Sequence, residues 1–223
     1  MINSVDTYFI DHFFGSQSAF LDHLALTATN SLLWVPFYVL LAILVIKNHD
    51  SMSQIAICVG CAIFAVLFAT GLTSIVTKPL VERLRPCNDP EFKYLVQIAG
   101  DLHNKDFSFF SSHAATTMAL ATFFSFLVRS GLMTCSMFLW SLLMCWTRLY
   151  LGQHFFTDIL VGITWGVTVG IIFYLLYLRF SNRSISNRYN VSERYTVSGF
   201  YKYDIEVIVL VQTITFLYCL IPL

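Results

Sequence analysis

Long apolar blocks separated by short polar segments dominate the chain. Six blocks approach the roughly 20 residues that a helix needs to cross the ~30 Å hydrocarbon layer of a membrane. They cover about residues 24–46, 55–77, 114–128, 132–149, 157–178 and 205–221. This pattern predicts an all-α integral membrane protein built as a bundle of six transmembrane helices.

The polar segments complete this layout. Residues 5–22 mix apolar and acidic positions over too short a length to cross, which predicts an N-terminal interfacial helix. Residues 78–113 and 179–204 form two longer polar stretches. Since no internal repeat or separate soluble segment is evident, residues 1–223 are predicted to form one membrane domain.

Composition narrows the possible functions. The chain is 57% hydrophobic and 12% charged, so its apolar residues cannot all be buried in one water-soluble core. Its formal net charge is zero, which argues against nucleic acid as a partner. Cys58 and Cys61 have CxxC spacing but lie inside an apolar block, so we interpret them as packing residues rather than metal ligands.

The first polar cluster, residues 78–86, follows the second apolar block. Pro79 suits the first turn of a short helix and Pro86 suits its end. Lys78 and Arg85, seven residues apart, are therefore predicted to project from one helix face and attract an anion. The alternative is a basic membrane flank whose side chains extend to the lipid headgroups.

The second cluster, residues 109–113, precedes the third apolar block. Ser111 or Ser112 is a suitable N-cap, and the free N–H groups at a helix N-terminus favour phosphate. His113 would stand beside this phosphate seat. The alternative is a capped helix with a histidine at the membrane interface.

The third cluster covers residues 147–158. His154 and Asp158 are four residues apart and would share a helix face, where the carboxylate holds one ring nitrogen while the other points outward. That arrangement orients a histidine nucleophile. Arg148 lies six positions before His154, and Gly152 offers a break that would bring it back. The alternative is a structural network of ion pairs.

Chain topology relates the clusters to one another. For the second and third clusters to cooperate, an even number of spans must separate them. The third and fourth apolar blocks supply two spans. All three clusters are therefore predicted to lie at one end of the bundle.

In the order and spacing of these residues, the chain resembles the type 2 phosphatidic acid phosphatase, or lipid phosphate phosphatase, superfamily, in its bacterial membrane branch. The family pattern is K-x6-RP, then PSGH, then SR-x5-H-x3-D. The matching positions are Lys78, Arg85, Pro86, Ser111, His113, Arg148, His154 and Asp158. The departures are Phe110, Ser112 and Thr147, which stand where the family has Pro, Gly and Ser.

The resemblance implies a metal-independent phosphatase domain over residues 1–223, with residues 78–113 and 147–158 as the two parts of its active site. It implies that His154 attacks phosphorus to form a phosphohistidine, that Asp158 orients it, and that His113 protonates the leaving oxygen. The phosphate oxygens would be held by Lys78, Arg85, Arg148, Ser111 and Ser112. The resemblance implies no cofactor, and the sequence contains no convincing set of metal ligands.

The expected partner is a phosphorylated lipid of the surrounding bilayer. We favour undecaprenyl diphosphate over a lipid A phosphate, phosphatidylglycerol phosphate or phosphatidate. Two alternatives stay open: a phosphotransferase that uses the same site, and a non-catalytic binder of anionic lipids. The pair of His154 and Asp158 favours catalysis, because binding phosphate does not need it.

Basic residues predict the orientation in the membrane, since segments left in the cytoplasm carry more Lys and Arg. One side contains Lys47, Arg129, Arg179, Arg183, Arg188, Arg194 and Lys202. The other side contains Lys78, Arg83, Arg85, Lys93, Lys105 and Arg148, of which three are assigned to chemistry. Residues 179–204 are therefore predicted to be cytoplasmic, and the site to face the periplasm or exterior of a bacterial inner membrane.

Overall fold

The computed structural model describes residues 4–13, 18–94, 106–181 and 194–221, and these residues form helices but no strand. The helices are α1 (Ser4–Phe13), α2 (Ala19–Ala28), α3 (Val35–Lys47), α4 (Met52–Gly71), α5 (Lys78–Val81), α6 (Ser112–Val128), α7 (Gly131–Tyr150), α8 (Phe156–Phe180) and α9 (Lys202–Cys219). A 3₁₀ turn at Ser31–Trp34 precedes α3, and a π-helical turn at Leu72–Thr77 joins α4 to α5. The prediction of an all-α protein is confirmed.

Three helices in the described ranges are long and apolar enough to cross a bilayer: Met52–Val81, Gly131–Tyr150 and Phe156–Phe180. A fourth span results if α2 and the helix Ser31–Lys47, which are bent by 60°, count as one. α6 has only 17 residues, and α9 carries Lys202, Asp204 and Glu206 in its first turns. The expected count of six spans therefore stays a prediction.

The first apolar block is not one straight helix. α2 ends at Ala28, and the side chain of Asn30 accepts a hydrogen bond from the N–H of Leu32 at 3.1 Å to start the 3₁₀ turn. Pro36 then occupies the first turn of α3. Residues 24–46 are therefore divided between two helices, because a cap and a proline begin a second helix there, and the predicted span over these residues stays a prediction.

α6 and α8 lie with their backbones in unusually close approach. α8 presents Gly162, Gly166 and Gly170 to α6, and Cβ atoms at these positions would lie 2.8, 2.5 and 2.7 Å from facing backbone oxygens. No side chain fits such distances, so the four-residue glycine spacing allows a contact that any larger residue would prevent. This contact brings the starts of both helices together.

A tight turn fixes the direction of α7. Arg129 ends α6 in the left-handed conformation, with a φ of 52°, and α7 begins at Gly131. α6 and α7 are therefore antiparallel, and α7 returns to the end of the bundle where α6 starts. The buried core lies between α3, α6, α7, α8 and α9 and includes Trp34, Phe37 and Tyr177.

Residues 78–86 do not form the predicted short helix. α5 ends at Val81, and Glu82 adopts a left-handed conformation with a φ of 48°. Lys78 therefore lies in the last turn of the long helix that begins at Met52, whereas Arg85 lies in the loop beyond it. The expectation that these two cations share a helix face is wrong, because Pro86 disfavours a helical conformation at Arg85.

The glycine contact predicts an asymmetric effect of a single methyl group. Gly166→Ala places a Cβ 2.5 Å from the backbone oxygen of Ala115, so we expect it to lower the free energy of unfolding by about 1–3 kcal/mol. Gly60→Ala in α4 is the matched control, since apart from its chain neighbours and the backbone of its own helix no heavy atom lies within 4 Å of its Cβ. Thermal unfolding in detergent measures both, and equal midpoints would contradict the prediction.

Candidate active site

The starts of α6 and α8 meet at one end of the bundle. Ser111 caps α6, with its Oγ accepting a hydrogen bond from the N–H of Ala114 at 3.4 Å. The N–H of Ser111 donates to the carbonyl oxygen of Asp158, in the first turn of α8, at 3.2 Å. This backbone bond joins the second sequence cluster to the third, and Ser111 is completely buried there.

The chain reverses between α7 and α8. Gly152 has a φ of 63°, and the N–H of Gln153 donates to the carbonyl oxygen of Arg148 at 3.0 Å. The predicted break at Gly152 is confirmed. It lets Arg148, in the last turn of α7, and His154, in the loop, both lie buried at the same end.

His154 and Asp158 meet without sharing a helix face. α8 begins only at Phe156, so His154 precedes the helix and the expected common face is wrong. Asp158 instead reaches back toward the loop, where its Oδ2 accepts a hydrogen bond from the N–H of Phe155 at 3.0 Å. The same oxygen lies 3.7 Å from Nδ1 of His154, an electrostatic contact that points the other ring nitrogen away from the carboxylate.

Arg85 faces that other nitrogen. Its Nη1 lies 3.5 Å from Nε2 of His154 and donates to the carbonyl oxygen of Gln153 at 2.9 Å. Its Nε donates to the carbonyl oxygen of Asp106 at 2.9 Å. These bonds hold a guanidinium that is only 4% exposed against the imidazole. His154 thus lies between a carboxylate and a cation.

The remaining predicted phosphate ligands surround this pair. His113 lies in the first turn of α6. It is close enough to interact electrostatically with four other site residues: Lys78, Arg85, Arg148 and His154. Within the described residues, the buried Nε of Arg148 and the buried Oγ of Ser112 have no hydrogen-bond partner. Buried donors without acceptors favour the binding of an anion beside them.

Burial also sets the protonation state of His154. It lowers the pKa of His154 to about 4, an effect that Asp158 opposes and that Arg85 and Lys78 reinforce. The imidazole is therefore neutral near pH 7 and keeps a lone pair on one nitrogen. A neutral histidine with a fixed carboxylate behind it is a competent nucleophile.

Two further charged residues, Arg83 and Asp6, lie at this site without a motif that points to them. Arg83 donates from Nη1 to Oδ1 of Asp158 at 2.7 Å and from Nη2 to Oδ2 of Asp6 at 2.7 Å. Its guanidinium also covers the ring of Phe155 at 3.8 Å. The position of Arg83, two residues before Arg85, was the one available signal, whereas Asp6 is separated from its partners by more than 70 positions.

Some sequence-based expectations fall elsewhere. We also expect the loop over residues 87–107 to contribute to substrate choice; residues 95–105 of this loop, which include His103, lie outside the described residues. In the part of the chain that the structure describes, no group of three or more His, Cys, Asp or Glu side chains is placed to hold a metal ion.

Comparison with known proteins places this site in a family. The sequence profile of the PAP2 superfamily matches residues 58–182, more than half of the chain, and this range includes every residue of the three clusters. The chain belongs to the PAP2 superfamily. With its apolar helices, it is an integral membrane phosphoric ester hydrolase.

Individual relatives agree with this assignment. A lipid A 4'-phosphatase of Bacteroides thetaiotaomicron is 33% identical over 178 residues, which cover 78% of each chain. A lipid A 4'-phosphatase of Porphyromonas gingivalis is 34% identical over 122 residues, or 54% of this chain and 51% of that one.

A solved structure supports the fold. The first transmembrane PAP2 type phosphatidylglycerolphosphate phosphatase from Bacillus subtilis aligns with a TM-score of 0.57 over 84% of this chain and 88% of its own. Its sequence identity is 19%, so the likeness concerns the fold alone.

The buried position of Arg85 predicts that its charge matters far more than that of a nearby surface cation. We expect Arg85→Ala to lower the rate of phosphate release about 10²–10³-fold, because it removes a donor fixed against His154. Lys93→Ala removes the same charge from the same loop at an exposed position. Equal rates for the two purified variants would contradict the assignment of Arg85 to the site.

Proposed function

We propose that the chain removes the 4'-phosphate of lipid A by hydrolysis through a phosphohistidine at His154. The observation that carries the mechanism is the position of His154, whose Nδ1 faces Asp158 at 3.7 Å while its Nε2 faces Arg85 at 3.5 Å. A phosphate held by Arg85 would lie beside a neutral nitrogen whose ring is already oriented.

The proposed reaction has two displacements. In the first, Nε2 of His154 attacks phosphorus, the bond to the lipid oxygen breaks, and His113 gives that oxygen a proton. In the second, a water that loses its proton to His113 attacks phosphorus, and the P–N bond breaks to release phosphate. Asp158 stabilises the positive charge that develops on His154 during the first step.

The transition-state charge spreads over the equatorial phosphate oxygens, so the donors around them contribute most of the stabilisation. We assign this role to Lys78, Arg85, Arg148, Ser111 and Ser112. Ser112 stands where the family has glycine, and its unpartnered buried Oγ, within the described residues, gives the site a further donor. The start of α6 adds its free N–H groups and dipole.

Sequence similarity carries the choice of substrate. Two relatives are lipid A 4'-phosphatases, and one of them matches 78% of this chain. Undecaprenyl diphosphate, which the sequence alone led us to favour, has no such support and becomes the competing substrate. Both are envelope lipids whose headgroup reaches a site at the end of a helix bundle.

We place residues 1–223 in one phosphatase domain with six spans, in which α6 and α9 cross the bilayer together with the longer helices. α1 lies in the interface at the active-site end, in line with its position against the start of α8. Residues 179–204 lie in the cytoplasm. The site, formed by residues 78–113 and 147–158, faces the periplasm across the bacterial inner membrane.

Phosphate release from a panel of lipids in detergent, with chelator present, tests the proposal. We expect lipid A to be hydrolysed at least about tenfold faster than undecaprenyl diphosphate, phosphatidylglycerol phosphate or phosphatidate. His154→Ala should lose activity by about 10³-fold or more. His23→Ala in α2, which removes a histidine outside the site, should keep it.

Each part of the proposal has its own contradicting result. Faster release from another lipid would overturn the substrate, and loss of activity with chelator would overturn metal independence. Equal lipid binding by the wild type and His154→Ala without hydrolysis by either would show a binder of anionic lipids. Phosphate transferred to a second lipid rather than to water would show a phosphotransferase.

A further inference from the structure

α1 is anchored against the start of α8 by apolar contacts. The ring of Phe9 stacks on that of Phe156, with centroids 3.8 Å apart and planes within 8°. Ile10 is 3% exposed and packs with Phe92 and Phe155. These contacts hold one face of α1 on the active-site end and bury the carboxylate of Asp6, which is 1% exposed.

Asp6 accepts hydrogen bonds from two other segments of the chain. Its Oδ1 accepts from the N–H of Thr157 at 3.0 Å. Its Oδ2 accepts from Oγ1 of Thr157 at 2.8 Å and from Nη2 of Arg83 at 2.7 Å. Asp6 therefore does two separable things: it caps the first turn of α8, and it pairs with Arg83.

Arg83 links Asp6 to Asp158, the carboxylate that orients His154. Its Nη1 donates to Oδ1 of Asp158 at 2.7 Å and to Oγ1 of Thr157 at 2.9 Å. With the N–H of Phe155 on Oδ2, both oxygens of Asp158 are fixed. The orientation of Asp158 toward His154 thus depends on the guanidinium of Arg83. Asp6 binds the other amino group of that guanidinium.

Charge gives Asp6 a second effect on the site. Arg83 alone would neutralise the buried Asp158 and weaken its attraction for the cation that forms on His154. Asp6 adds a second negative charge, so the group of Asp6, Arg83 and Asp158 keeps a net charge of −1. In a buried environment this difference acts strongly on a developing charge, because little water screens it.

We propose that Asp6 is a positioning residue for catalysis, which sets the orientation and effective charge of Asp158 through Arg83. This inference rests on the proposed function, in which Asp158 acts on His154. It assigns the N-terminal helix, outside the matched family range of residues 58–182, a part in the reaction.

Asp6→Asn tests the charge separately from the cap. Asn keeps a side-chain oxygen that can accept from Thr157, and Asn is as good a helix cap as Asp. We expect kcat per folded enzyme to fall about 10–100-fold, the range found when groups that orient the histidines and carboxylates of a metal site are removed. KM should stay within about twofold, because Asp6 contacts none of the proposed phosphate ligands.

A double-mutant cycle distinguishes the pairing with Arg83 from the cap. In an Arg83→Gln background, Asp6→Asn should cause little further loss, because its route to Asp158 is already broken. If Asp6 only caps α8, the effect of Asp6→Asn would be small in both backgrounds, or its loss would persist undiminished with Arg83→Gln. Either result would overturn the inference.

Three further variants complete the test. Asp22→Asn is the matched control, because Asp22 also joins an N-terminal helix to the active-site end. Its carboxylate accepts a hydrogen bond from the hydroxyl of Tyr150 at 2.6 Å. This variant should leave kcat unchanged. Asp6→Ser, also an uncharged cap, replaces Asp6→Asn if the latter is not monodisperse in detergent. An active His154→Ala would overturn the proposed mechanism itself, whereas an inactive one beside a fully active Asp6→Asn would overturn only the inference.

Discussion

The close approach of α6 and α8 determines the geometry of the site. Glycines at positions 162, 166 and 170 let the two backbones meet, and the N–H of Ser111 bonds to the carbonyl oxygen of Asp158 at 3.2 Å. Two helix N-termini therefore lie side by side, each with the positive end of a helix dipole. A single larger side chain in this contact would separate the start of α6, with Ser111 and His113, from His154.

Charge burial is the second constraint, and it explains why the site suits phosphate. Arg85 and Arg148 are 4% and 7% exposed, at the end of a bundle whose other buried residues are mostly apolar. Arg85 is partly satisfied by two backbone carbonyl oxygens, whereas the Nε of Arg148 has no partner among the described residues. An anion with several oxygens relieves these buried charges, which a neutral headgroup would not do.

The sequence predicted which residues converge better than it predicted how they do so. The spacing of the three clusters and the two intervening spans placed Lys78, Arg85, His113 and His154 at one end. The local geometry differed, because Glu82 ends a helix in a left-handed conformation and His154 precedes its helix instead of lying on it. Spacing within a motif does not reveal such interruptions, since the same side chains can meet from a loop.

Two features depended on distant contacts. The glycine spacing of α8 was visible in the sequence, but only its packing partner on α6 gives it meaning. Asp6 had no local signal at all, because its partners Arg83 and Thr157 lie 77 and 151 positions away. The motif residues can be recognised from the sequence. The other contacts that complete the site, those of Asp6 and of the α8 glycines, join segments that are far apart in the chain.

The most direct test of the account is to look for the covalent intermediate. Enzyme mixed with labelled substrate, quenched in base within milliseconds and digested, should carry phosphate on His154, in a bond that acid hydrolyses and base does not. His154→Ala should carry none. Phosphate on a different residue, or continued turnover by an enzyme that never becomes labelled, would contradict the assignment of His154 as the nucleophile.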